Sequence, residues 1–203
     1  MKAIGRRHVM AGVLGLAALA GVRAAAAPAD PALLRIAALD EVLLEVMAAA
    51  EALGAQGRYR RLAPVLHALF DLPTMTQFTA GPAWNGFTPA QRQQAIAAFG
   101  RLLVAVYVRK FDHRVGERFT LDDVERRGED KIVRTRLLRA DASPILLSYR
   151  MRERAGDWKV IDVYYGPISQ MLMRRADFAV PVAAGGAAGL IAHMDGLSRA
   201  LLE

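Results

Sequence analysis

One carboxylate in this sequence stands where acid–base chemistry is conceivable. Asp162 lies between Val160 and Val163 in the run Trp158-Lys159-Val160-Ile161-Asp162-Val163. An apolar setting destabilises the ionised carboxyl and equips it to take a proton from an apolar substrate. The same residue also fits a plainer role, as an aspartate bonded to a neighbouring turn. Metal chemistry finds no support in the spacing. Beyond residue 27 the histidines are His67, His113 and His193, none within three to five positions of another. His113 beside Asp112 reads as a cation placed against the end of a helix dipole. The chain has no cysteine, so it offers no thiol nucleophile, thiolate metal site or disulfide. There is no G-x-S-x-G, and Gly185-Gly186-Ala187-Ala188-Gly189 follows no strand, so it reads as a hinge and not as a phosphate cradle. No metal and no cofactor is expected.

The elements that must position these residues fall into three blocks. Asp30-Pro31 opens a helix, and Leu39, Val42, Leu43, Val46, Met47, Ala50 and Leu53 mark its buried face, with Gly54 and Gly57 as the stop. A second helix runs from about Arg58 with Tyr59, Leu62, Leu66, Leu69 and Phe70 inside. It is broken at Leu72-Pro73, before a short helical piece around Met75–Phe78. Thr88-Pro89-Ala90-Gln91 is a capping box with proline at the first helical position. Ala95, Ile96, Phe99, Leu102, Leu103, Val106, Tyr107 and Phe111 then form an unbroken stripe along a helix over 89–112, about 36 Å long. Val104 and Val108 lie off that stripe, which implies cover on a second side.

After Asp112 the apolar period changes from 3.6 to 2. Strands are expected at Arg114–Asp123, Lys131–Arg139, Ile145–Arg154 and Asp157–Tyr165, with short links that imply an antiparallel meander. Phe119, Leu121, Val133, Leu137, Ile145, Leu147, Tyr149 and Met151 share one face. Arg134, Arg136, Arg150 and Arg152 share the other and should meet solvent. The last strand is apolar in both registers, Trp158/Val160 and Ile161/Val163, which implies a central position or cover on both faces. Gly166-Pro167 is expected to start a helix containing Ile168, Met171, Leu172 and Phe178 that Pro181 ends. A last helix buries Leu190, Ile191, Met194, Leu197 and Leu201. The fold class is therefore α+β: N-terminal helices, a four-stranded curved antiparallel sheet of NTF2-like form, then C-terminal helices.

Residues 1–26 read as a targeting peptide. Lys2, Arg6 and Arg7 precede the weakly apolar stretch Val9–Val22, and Ala24 to Ala27 offer small residues for cleavage, most simply after Ala26. The Arg6-Arg7 pair resembles a twin-arginine signal, with the general secretory route and an uncleaved anchor as alternatives. The export expectation places the protein outside the cytoplasm and leaves residues 27–203 as one domain. Loss of Lys2, Arg6, Arg7 and Arg23 lowers the basic count from 27 to 23 against 20 acids, so the formal charge falls from +7 to +3. That modest surplus argues against a nucleic-acid partner, and doublets such as Arg60-Arg61 read as solvated faces.

The apolar fraction of 54% is high for a soluble chain. Several helices offer apolar faces to one small sheet, and Met47, Met75, Met151, Met171, Met173 and Met194 are spread among them. An interior larger than folding requires, able to take hydrocarbon tails, is one reading of that surplus; ordinary core filling is the other.

Several stretches resemble the MlaC / toluene-tolerance family. They are Phe70-Asp71-Leu72-Pro73-Thr74-Met75, Gly81 and Trp84, Thr88-Pro89-Ala90-Gln91-Arg92, and Trp158-Lys159-Val160-Ile161-Asp162-Val163. Ile168-Ser169, Arg174 or Arg175 with Phe178, and Gly189-Leu190-Ile191 complete the series. Ile168-Ser169-Gln170 and Arg174-Arg175 are nearer the hopanoid-associated HpnM branch, whereas Tyr165-Gly166-Pro167 and Val180–Ala184 depart from the family pattern. The resemblance implies a periplasmic, non-enzymatic carrier that holds the hydrocarbon of a phospholipid or hopanoid between sheet and helices. It also implies partners: an inner-membrane ABC transporter or MCE-type complex and, in some cases, an outer-membrane lipoprotein complex. By periodicity the lining is expected from Phe99, Leu103, Val106 and Tyr107 on the long helix and from Val133, Leu137, Leu147, Tyr149 and Met151 on the sheet. Trp158 and Asp162 are assigned to structure. The rival reading is an NTF2-like enzyme acting on an apolar substrate with Asp162 as base; a second rival is an adaptor whose apolar faces serve protein contacts.

Overall fold

The structure is a computed structural model that describes residues 29–113, 116–140 and 142–203. The targeting peptide expected over residues 1–26 lies outside the described residues, as does the start of the first expected strand at Arg114.

Asp30 caps helix α1 (Pro31–Ala48) by accepting a 2.9 Å hydrogen bond from the Ala32 amide. The buried stripe of α1 contains Ile36, Leu39, Leu43, Val46 and Met47, as the spacing requires, and also Asp40. Helix α2 (Ala50–Leu69) follows almost at once and is broken at Gly54, where φ is +58°; Gly57 is helical, so the break is one residue wide. Asp71 caps α3 (Leu72–Ala80) through the Thr74 amide, and a 3₁₀ segment covers Gly81–Gly86. Both halves of the Thr88–Gln91 capping box are present at the start of α4 (Pro89–Lys110). Val104 and Val108 are buried along with the main stripe, so α4 is covered on two sides.

The sheet runs β1 (Arg118–Arg127), β2 (Asp130–Arg139), β3 (Ala142–Arg154), β4 (Asp157–Tyr165) and β5 (Ile168–Ser169), each antiparallel to its neighbour and in chain order. The expected four strands thus gain a two-residue fifth, and the first begins and ends later than the spacing implied. Bulges explain where simple alternation fails. The pairing of β3 with β4 shifts between Arg150 and Met151, opposite Asp162 and Val160, leaving Ile161 as the extra residue. Val160 and Val163 therefore both point into the core. The double apolar register of β4 reflects this bulge and not cover on both faces. A second shift, around Asp122, leaves Leu121 well exposed and puts Val124 opposite buried Val133.

The outward arginines are paired and not simply solvated. Arg136 bonds Asp122, Arg134 bonds Asp123 and Glu125, and Arg150 and Arg152 converge on buried Asp130 at 2.6 and 2.5 Å. Burial pushes the Asp130 carboxyl up, but the hydrogen bonds and charges of Arg152 and Arg150 outweigh it and hold it below the usual range.

Gly166-Pro167 forms the turn into β5 and does not start a helix. Helix α5 (Gln170–Leu202) begins three residues after Pro167, with the Ser169 hydroxyl accepting from the Leu172 amide at 3.1 Å. Pro181 does not end α5; the break falls at Gly186, with φ +55° and ψ −135°. Between Pro181 and Gly189 the backbones approach so closely that a Cβ on Gly189 would lie 2.3 Å from the Pro181 carbonyl oxygen. The core lies between the inner face of the sheet and the helices, and joins Phe178, Leu190 and Met194 of α5 to Tyr149 and Met151 of β3.

Candidate functional site

Helix α4 turns a face formed by Phe99, Leu102, Leu103, Val106 and Tyr107 toward a narrow pocket, residues that recur at the i, i+3, i+4, i+7, i+8 interval of one helical stripe. Phe70 and Met75, at the junction of α2 and α3, close one wall, and Val163 and Tyr165 of β4 close another. The first two turns of α5 bring Gln170, Met171 and Arg174 to the edge. The Phe70 ring meets Tyr107 edge-on, with centroids 5.8 Å apart. The cavity measures about 50 Å³. It is apolar within, and its polar groups come from Tyr165, Gln170 and Arg174, all half-buried.

The four helix residues expected to line the interior, Phe99, Leu103, Val106 and Tyr107, meet at this pocket. The five expected from the sheet do not reach it: Val133, Leu137, Leu147, Tyr149 and Met151 are buried in the continuous core beyond it. Those five satisfy the period-2 rule but are covered by packed side chains. Lining from Phe70, Met75, Leu102, Val163, Tyr165, Gln170, Met171 and Arg174 was missed. Leu102 was legible as a member of the α4 stripe, whereas the others come together only through long-range packing.

Behind the pocket lies a polar cluster. Tyr107 and Tyr149 are hydrogen-bonded to each other, and burial above all pushes both phenols well above their ordinary range. Tyr165 is pushed up to about 12 by the same cause. The Asp40 carboxyl sits close enough to raise both buried phenols, although it contributes less than burial. Asp40 is 4% exposed, has no hydrogen-bond partner among the described residues on either oxygen, and is pushed by burial to about 7. The sequence carried a signal for it, four residues after Ile36 and three before Leu43 on the buried stripe.

Asp162 is committed elsewhere. Its Oδ1 accepts from the Val163 and Met171 amides at 2.7 and 3.2 Å, and its Oδ2 accepts from the Ser169 hydroxyl at 2.6 Å. It lines an open cleft with Arg150, Ile161 and Leu172 and is absent from the lining of the apolar pocket. The bonded-turn role therefore describes it, and the geometry of a cavity-facing base is missing. Among the described residues no group of His, Asp and Glu is arranged to hold a metal ion.

A curved, unclosed antiparallel sheet with helices over one face and an apolar pocket between the layers defines a small α+β domain built round its interior. The chain belongs to the MlaC family: the family model described as "MlaC protein" matches residues 37–196. Its fold is similar to that of a phospholipid-binding protein from Ralstonia solanacearum, solved in complex with a phospholipid, with a TM-score of 0.74 and 22% identity over 86% of this chain and 100% of that one. No curated protein matches the sequence.

Proposed function

We propose that this protein is a periplasmic lipid carrier that shields the hydrocarbon of a phospholipid or hopanoid between α4 and β4. In this reading residues 1–26 are a cleaved export signal. Cargo is exchanged with an inner-membrane ABC transporter or MCE-type complex and, in some settings, with an outer-membrane lipoprotein complex. The observation that carries the proposal is an apolar pocket with a polar rim, in a chain whose family and fold are those of MlaC. Phe99, Leu103, Val106 and Tyr107 are the proposed contacts at the entrance. Val133, Leu137, Leu147, Tyr149 and Met151 form the floor reached when the layers separate.

Separation is required by volume. Two tails of about thirty methylenes, each near the ~30 Å³ of a water molecule, need roughly 900 Å³, more than all the free space of the pocket and its open mouth, about 490 Å³. Their transfer from water contributes a gross ~24 kcal/mol at ~0.8 kcal/mol per methylene. Opening the core and ordering the tails offset part of it. Transfer from a bilayer is nearly neutral by comparison, which suits a carrier that must load and unload.

Asp162, the base that the enzyme reading requires, is bonded on both oxygens away from the apolar pocket, which speaks against that reading. The test is native mass spectrometry of protein purified from its own host, followed by lipid extraction. A bound mass that resolves into a phospholipid or a hopanoid is expected, and identifies which. Protein that carries no lipid, and takes none from vesicles of host lipid, would refute the carrier.

A further inference from the structure

We propose that Lys110 and Arg174 form a clamp at the pocket mouth for the phosphodiester of a glycerophospholipid whose tails enter between α4 and β4. This rests on the carrier reading and adds a polar recognition element to it. Arg174 lies one turn after Gln170 on α5, and both border the pocket together with Tyr165. Lys110, the last residue of α4, places Nζ 4.2 Å from the centre of the Tyr165 ring. Lys110, which is not itself part of the lining, thus stands over a rim tyrosine of the same apolar pocket that Arg174 borders from another helix.

Their charges are poorly compensated. Among the described residues Lys110 has no carboxylate partner, while Lys131 has Asp30 at 2.7 Å and Lys159 has Asp157 at 2.9 Å. Among the described residues Arg174 has only Asp177, one turn along α5 at 3.7 Å. The contrast with the outer sheet face is sharp, where Arg134, Arg136, Arg150 and Arg152 all bond carboxylates directly. Partial burial, and then the neighbouring Arg174 charge, lower the Lys110 ammonium from its usual range, as two close cations without an intervening anion should. An anion placed between them relieves that repulsion. A phosphodiester suits the pair because a guanidinium binds two of its oxygens as a fork while an ammonium acts as a point charge. It also suits the location: tails buried at Leu103 and Val106 leave the first polar group of the lipid at the rim, where Gln170 and Arg174 stand.

The test uses native mass spectrometry of the full chain with an equimolar mixture of dipalmitoyl phosphatidylglycerol and dipalmitoyl glycerol in neutral detergent. The tails are identical, so the ratio bound reports the phosphoglycerol head group. The wild-type protein is expected to favour the phospholipid by about tenfold, equal to ~1.4 kcal/mol. In the Lys110→Gln/Arg174→Gln double variant the ratio should fall to about unity, with the thermal midpoint unchanged. An unchanged ratio in the variant overturns the clamp, as does equal uptake of both lipids by the wild type or a parallel loss of both by the variant. Each of these leaves the carrier reading standing, whereas uptake of neither lipid by the wild type overturns both. Millimolar glycerol phosphate should not shift the ratio; if it does, the pair binds soluble phosphates and the lipid assignment fails.

Discussion

The Ser169 hydroxyl donates a 2.6 Å hydrogen bond to Oδ2 of Asp162, tying the cap of α5 to the end of β4. Ser169 Oγ in turn accepts from the Leu172 amide, and Asp162 Oδ1 accepts from the Met171 amide. One carboxylate and one hydroxyl thereby satisfy two free amides of the helix that carries Gln170, Met171 and Arg174 to the pocket. Asp162→Ala should destabilise the protein by about 3 kcal/mol, since several bonds to a buried charged group are lost. Ser169→Ala should cost about 1 kcal/mol, the usual value for a helix cap. Urea unfolding measures both, and an Asp162→Ala variant as stable as the wild type would show that the helix start is held by something else.

Asp40 sets a pH dependence. Its carboxyl is pushed by burial from 3.8 to about 7, so the folded state favours the protonated form. The sign follows from linkage. A raised carboxyl value means that this contribution is most favourable below pH 3.8, declines above it, and is fully lost once pH passes about 7. The penalty in alkaline buffer is on the order of 4 kcal/mol, from about three units at ~1.4 kcal/mol each. Asp40→Asn carries no such charge. Its stability relative to the wild type should therefore rise between pH 5 and about pH 7 and level off above that, as chemical denaturation from pH 5 to pH 8 would show. Parallel curves would mean that Asp40 is not the titrating group.

Gly189 is required by contact and not by backbone angle. A methyl group there would meet the Pro181 carbonyl oxygen at 2.3 Å, and backbone cannot rotate out of the way as a side chain can. Gly189→Ala should cost about 2–3 kcal/mol, in the range of overpacked cores. Gly185→Ala, where a Cβ would meet nothing within 4 Å, is the control and should be near neutral or stabilising. Thermal unfolding of the two variants separates them.

The pocket and the core beneath it should respond differently to substitution. Leu103 is half-buried at the entrance, so Leu103→Trp should block uptake of a fluorescent phospholipid by about tenfold or more while changing stability by no more than ~1 kcal/mol. Met151, fully buried and outside the pocket lining, should behave as core: Met151→Ala should cost about 2–5 kcal/mol. Equal effects of both variants on uptake and stability would place Leu103 in the structural core as well.

Much of the architecture was legible in local sequence because its causes are local. Thr88 and Gln91 form their capping box whatever packs above them, and Asp30 with Pro31 starts α1 by the same short-range rule. The change of apolar period after Asp112 announced the sheet, and the stripe from Ala95 to Phe111 announced the long helix with the residues that meet the pocket. Tertiary structure alone decided the remainder. The bulge at Ile161 turned a two-sided strand into one that buries Val160 and Val163 together. Helix α5 runs past Pro181 and breaks at Gly186, where its two halves come into close backbone contact at Pro181 and Gly189. The pocket joins Tyr107, Val163 and Arg174 from three separate elements with Phe70 from the link between α2 and α3. Propensity, capping and periodicity act over a few residues, whereas a bulge, a close backbone approach or a shared cavity depends on chain segments that meet only once the layers have packed.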